Sequence, residues 1–230
     1  MAWDQIVPLL LFLSLFIVLL LFMRRRINKE NLRPEIARTL CAELGFNFIE
    51  GNEARFRNQG PGAGPMDLAA LDQLPSSLKS SLLEDNSWRM EGFFRSVRVA
   101  VYDDIRPISN HFQTFLVVRA YFPERFKEPF TLEMKTPFHF LAPPQFQTGN
   151  QFFDKRVRFK VGKEKSALQS LLSDRFMQAA KALLLSSGKT RIDQEGAYWE
   201  KREAKIEMTS LKTTLRLVSD TVLAGSQIKG

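Results

Sequence analysis

The sequence predicts an α+β fold, in which an N-terminal transmembrane helix precedes one domain with a mainly antiparallel sheet and packed amphipathic helices. Three observations predict it. Residues 6–23 form an apolar run without a charge. Several later segments alternate apolar and polar residues, the period of a strand. Others repeat apolar residues at steps of three and four, the period of an amphipathic helix. A length of 230 residues fits one domain of ordinary size plus an appendage. With 44% hydrophobic and 25% charged residues, the composition is globular.

The apolar run Ile6 to Met23 covers 18 residues. As a helix it spans roughly 27 Å, close to a hydrocarbon core of about 30 Å. Trp3 lies just outside the run, where an indole favours the interface, and Pro8 falls in its first turn. A cleaved signal peptide would need a basic leader, yet Asp4 and no Lys or Arg precede the run. A buried core helix rarely ends in three consecutive arginines, and Arg24, Arg25 and Arg26 follow this one. Those arginines, with Lys29 and Arg33, place the N-terminus outside and the rest in the cytoplasm. The expected division is an anchor with its basic membrane flank over 1–30 and a cytoplasmic α+β domain over 31–230. The expected location is a bacterial inner membrane, crossed once, with the lipid bilayer as partner through residues 6–23.

Pro34 to Leu44 reads as a short helix, with Ile36, Leu40 and Leu44 at four-residue spacing and Gly45 as its stop. Phe46 to Ile49 reads as a strand. Residues 59–65 are a Gly/Pro loop, without the Lys-Ser/Thr of a phosphate-binding loop. Residues 68–83 suggest one or two short helices broken at Pro75. Trp88 to Tyr102 and Thr114 to Phe122 are the strongest strands, joined by a long connection through Asp103, Asp104 and Asn110. Thr131 to Lys135 and His139 to Leu141 are further short strands. Lys155 to Val161 alternates cleanly, with Val157, Phe159 and Val161 on one side and Arg156, Arg158 and Lys160 on the other. Ser166 to Ser187 is an amphipathic helix. Arg191 to Lys205 is a hairpin turning at 193–196. Met208 to Ala224 is a last helix, with Met208, Leu211, Leu215, Val218 and Val222 in step.

The segment Thr148-Gly149-Asn150-Gln151-Phe152-Phe153-Asp154, then a basic strand over 155–161 and Leu171-Leu172, resembles a late segment of uncharacterised bacterial single-pass membrane-anchored proteins of unknown function. The resemblance covers about the last third of the chain and implies no activity.

One cysteine, Cys41, excludes an internal disulfide framework and a Cys-based zinc site. With only His111 and His139 beside it, no metal site and no cofactor are expected. Cys41 reads as a buried thiol rather than a lipidation site. Ser109, His111 and either Asp103 or Asp104 are the residues a hydrolase would need, but no nucleophile-elbow pattern surrounds them. A polar hairpin explains the same residues. Asp103 and Asp104 also suggest a cation site, but adjacent carboxylates on a strand point to opposite sides.

The strongest candidate surface is basic. The net charge is +8, and Lys155, Arg156, Arg158, Lys160, Lys163 and Lys165 crowd one segment. A strand presents alternate cations about 7 Å apart, suited to anionic headgroups. Phe159 points away from them, so the stacking aromatics of a nucleic-acid surface are missing and nucleic acid is not expected. The expected function is a non-enzymatic, membrane-anchored interaction or scaffold domain that holds a protein partner or a second copy of itself. A peripheral anionic-lipid-binding module on the basic strand face is the alternative, and a hydrolase-like enzyme with a cryptic site is the third reading.

Overall fold

Pro34 occupies the first turn of helix α1 (Arg33–Leu44), where its missing N–H costs least. Gly45, at φ 68°, ends the helix, and the Phe46 N–H returns to the Cys41 carbonyl at 2.9 Å. The computed structural model describes residues 33–51, 88–108, 111–124, 126, 128–136, 148–162, 172–202 and 204–226. After α1 come strands β1 (Asn47–Glu50), β2 (Trp88–Phe94), β3 (Val97–Ile108), β4 (His111–Tyr121) and β5 (Phe130–Met134). Helix α2 (Gln151–Arg156) leads directly into β6 (Val157–Val161). Helix α3 (Asp174–Leu184), the hairpin β7 (Lys189–Asp193) and β8 (Gly196–Arg202), and helix α4 (Met208–Ser226) complete the order.

The strands form one eight-stranded sheet in the order β1-β2-β3-β4-β8-β7-β5-β6. Every neighbouring pair is antiparallel. Alternation gives the sheet two unlike faces. Val99, Val101, Val118, Ala197, Trp199, Ile192, Leu132 and Phe159 face one way. They share a single core with Leu40 of α1, Phe176 and Leu183 of α3, and Leu211, Leu215, Val218 and Val222 of α4. Each Val, Leu, Ile or Phe among them, fully buried, contributes about 1.5–3 kcal/mol.

Several elements differ from the sequence expectation. The region 88–102 is not one strand, because the chain reverses at Arg95 and Ser96, with φ of 52° and 66°. Two-residue hairpins of this geometry favour Asn-Gly, so Arg-Ser gave no signal. In turn β3 runs on through Asp103 and Asp104, where the sequence predicts a connection, to Ile108. Lys155 and Arg156 lie in the last turn of α2, not on a strand. That helix starts because Asn150 accepts a hydrogen bond from the Phe152 N–H. Helix α3 begins only at Asp174, where Ser173 caps it by accepting from the Phe176 N–H.

The expectation of a transmembrane helix, and with it the single-pass membrane location, is corrected. No helix among the described residues is long and apolar enough to cross a membrane. Residues 6–23 and the flank Arg24, Arg25 and Arg26 lie outside the described residues, as do 59–65, 68–83 and 139–141. The described fold is the antiparallel sheet with its four helices.

Candidate functional site

The sheet face turned away from the core carries all three tyrosines of the chain: Tyr102, Tyr121 and Tyr198. Arginines stack on them. Arg89 lies 4.9 Å from the Tyr102 ring centroid, Arg119 5.0 Å from Tyr121, and Arg191 5.4 Å from Tyr198. Carboxylates hold the same arginines: Arg89 pairs with Glu91, Arg119 with Glu195, and Arg191 with Asp193. Arg106 donates to Glu200 Oε2 at 2.6 Å and to the Tyr198 hydroxyl at 3.0 Å. Burial alone would raise the Glu200 pKa; hydrogen bonds from Arg106, Tyr198 and Lys189 outweigh it and bring it to about 2. Burial, with the Tyr121 phenol close by, pushes Tyr102 up to about 12. These charges satisfy one another, which suits a stiff sheet better than a ligand surface.

A second polar centre lies on the core side. Asp103, 9% exposed, accepts from Arg33 Nε at 2.7 Å and from the Trp88 indole N–H at 2.8 Å. Arg33 Nη2 donates to the other carboxylate oxygen, and Nη1 donates to the Ala204 carbonyl at 2.8 Å. Burial raises the Asp103 pKa, against the pull of Arg33 and Trp88. This clasp ties the start of α1 to β3 and to the connection between β8 and α4.

That connection borders a groove of about 620 Å³, lined by β4, β8, the end of α3 and the first turns of α4. The apolar part of its lining is Leu116, Val118, Trp199, Ala204, Leu211 and Leu217. Its polar part includes Lys201, Lys205, Ser210, Thr213 and Thr214. The hydroxyls recur at helical spacing on one side of α4. Their hydrogens are committed: Ser210 donates to the Glu207 carbonyl, Thr213 to Thr209 and Thr214 to Ser210. Lys201 and Lys205 are exposed and have no carboxylate partner among the described residues. Trp199 is 7% exposed, and its indole N–H has no acceptor among the described residues. The volume lies within the range of small-molecule sites, about 300–1,000 Å³.

The structure disperses the residues singled out from sequence. Asp103 faces the core side, whereas Asp104 faces the other and pairs with Arg106. The two carboxylates therefore cannot serve one catalytic centre. Ser109 and the His111 side chain lie outside the described residues. Of the basic row, Arg158 and Lys160 do share a side of β6, but both lean on Glu133 of β5, at 3.6 and 3.5 Å. Arg156 and Lys155 belong to α2, and Lys163 and Lys165 lie outside the described residues. Cys41 is buried, donates its thiol to the Phe46 carbonyl at 3.0 Å, and is pushed above its usual pKa by burial. Among the described residues no cluster of His, Cys, Asp and Glu suits a metal ion. The groove is hard to read from sequence because it joins four elements, β4, β8, α3 and α4. Its one trace was the Ser210, Thr213 and Thr214 stripe.

No protein-family model matches the sequence. No curated protein matches it. Among solved structures, the chain is similar to the mycobacterial trehalose monomycolate transport factor A, TtfA. The identity is 12%, over 85% of this chain and 94% of that chain, with a TM-score of 0.43. A likeness this distant decides neither fold nor function.

Proposed function

We propose that the protein is a non-enzymatic binding module that seats the apolar body of a small amphipathic ligand in the groove between α3, α4 and the sheet. The observation that carries this reading is the groove's lining. Five apolar side chains from β4, β8 and α4 meet one row of hydroxyls, and Glu207 is the one carboxylate among the described lining residues. The described lining brings no nucleophile and base together, so it offers binding rather than bond-breaking. Titration of the full chain with the neutral apolar fluorophore N-phenyl-1-naphthylamine tests it. Saturable binding to one site is expected. Ser210→Trp, an exposed position on the groove wall, should weaken it at least tenfold while thermal unfolding stays unchanged. Non-saturable binding, or equal binding by Ser210→Trp, refutes the reading.

A protein partner or a second copy of the chain is a second reading. The observation favouring it is Phe93, 72% exposed on the sheet face away from the core. Sedimentation of the wild type and of Phe93→Ser tests it, since a concentration-dependent mass lost in the variant is the expected sign.

A further inference from the structure

We infer that the ligand of this groove is an amphipathic anion, an alkyl chain ending in a carboxylate or a phosphate. This rests on the groove being the binding site and adds the chemistry of its polar end. Two ammonium groups, Lys201 and Lys205, border the groove without a carboxylate partner among the described residues. The contrast with the opposite sheet face is direct, because there Arg89, Arg106, Arg119 and Arg191 are all held by carboxylates. A protein of net charge +8 has cations in excess, and the groove border is one place where they lack a carboxylate partner among the described residues. Among the described residues, Glu207 supplies the opposing charge there.

The donor inventory points the same way. The hydroxyls of Ser186, Ser210, Thr213 and Thr214 give their hydrogens to helix carbonyls. The uncommitted donors therefore include the two ammonium groups and the Trp199 N–H. An anionic oxygen would accept from such donors. Trp199 Nε1 lies beside Gly188, close enough that a Cβ added there would come within 2.5 Å of it. Helix α4 opens at the same end, with Glu207 directly before its first residue. The carbonyls ending α3 are already capped, Lys181 by the Leu185 N–H and Leu183 by Ser186, which leaves them little opposing pull. Leu116, Val118, Leu211 and Leu217 then receive the alkyl chain.

The test is calorimetric titration of the full chain with dodecanoate, dodecyl phosphate and the neutral monododecanoylglycerol, each below its micelle concentration. At least one anion is expected to bind tenfold or more tighter than the neutral ester, with the advantage falling at high salt. In Lys201→Glu/Lys205→Glu that advantage should disappear while the neutral ester binds as before. Dodecanoate as the tighter anion assigns a fatty-acid carboxylate, and dodecyl phosphate assigns a phosphate headgroup. Equal affinity for ester and anions, or an advantage that survives charge reversal, overturns the anion assignment and leaves the groove as a binding site. Binding of none of the three overturns the groove reading itself.

Discussion

Replacing Arg33 by Met tests the clasp at the heart of the molecule. Arg33 and Asp103 are joined by two hydrogen bonds between side chains only 16% and 7% exposed. Methionine keeps the apolar stem but removes the charge, so Asp103 is left ionised in the core. Breaking a buried pair from one side costs roughly 3–5 kcal/mol. The Trp88 N–H still serves Asp103, which favours the lower end, while loss of the donor to the Ala204 carbonyl adds about 1 kcal/mol. A deficit of about 4 kcal/mol is a large share of a domain's stability of about 5–15 kcal/mol. The assay is urea unfolding followed by tryptophan fluorescence. The pH dependence supplies the sign. Burial already raises the Asp103 pKa, and losing Arg33 raises it further. A raised carboxyl pKa means the folded state binds the proton more tightly. The variant's deficit is therefore greatest near neutral pH and shrinks as pH falls through the folded pKa. Arg33→Met/Asp103→Leu should recover most of the loss, because no charge is then buried. A deficit below 1 kcal/mol, or one that grows in acid, would refute the reasoning.

Three other outcomes are expected. Glu200 has its pKa lowered from 4.5 to about 2 in the folded protein, so it contributes about 3 kcal/mol above pH 4.5, and this is lost as pH falls through 2. Glu200→Gln should remove that contribution and flatten the acid limb of a stability–pH curve. Ser219 has a buried hydroxyl without a hydrogen-bond partner, so Ser219→Ala should raise stability by about 1 kcal/mol in chemical denaturation. Ser96 sits at φ 66° in the β2–β3 turn, so Ser96→Gly should add about 1 kcal/mol, read from the same midpoint shift.

Local periodicity carried much of the element plan. The steps of three and four in Met208 to Val222 mark α4, and Leu211, Leu215, Val218 and Val222 are all buried on it. Pro34 and Gly45 bracket α1, and 193–196 turns the β7–β8 hairpin. The errors are equally local. Arg95 and Ser96 form a turn without turn chemistry, and the short helix that Asn150 caps takes Lys155 and Arg156 from the alternating stretch that reads as strand. Alternation describes which side of a strand faces the core, but it cannot tell where a strand starts when a cap intervenes.

The candidate site was hardly legible. Lys155 to Lys165 drew attention because charges cluster in sequence, yet Arg158 and Lys160 meet Glu133 from a neighbouring strand. Asp103 and Asp104 are adjacent on a strand, and the pleat sends them to opposite faces, one to Arg33 and the other to Arg106.

What the sequence determined by itself was the class of residue at each buried step and the few chemistries that one cysteine and two histidines exclude. Only the tertiary structure decided the strand order, which brings β8 beside β4 and so sets Trp199 and Lys201 against Val118 and Leu116. It also decided which cations are neutralised. A charge's partner lies across a sheet or a helix packing, many residues away in the chain, and no local pattern records that distance.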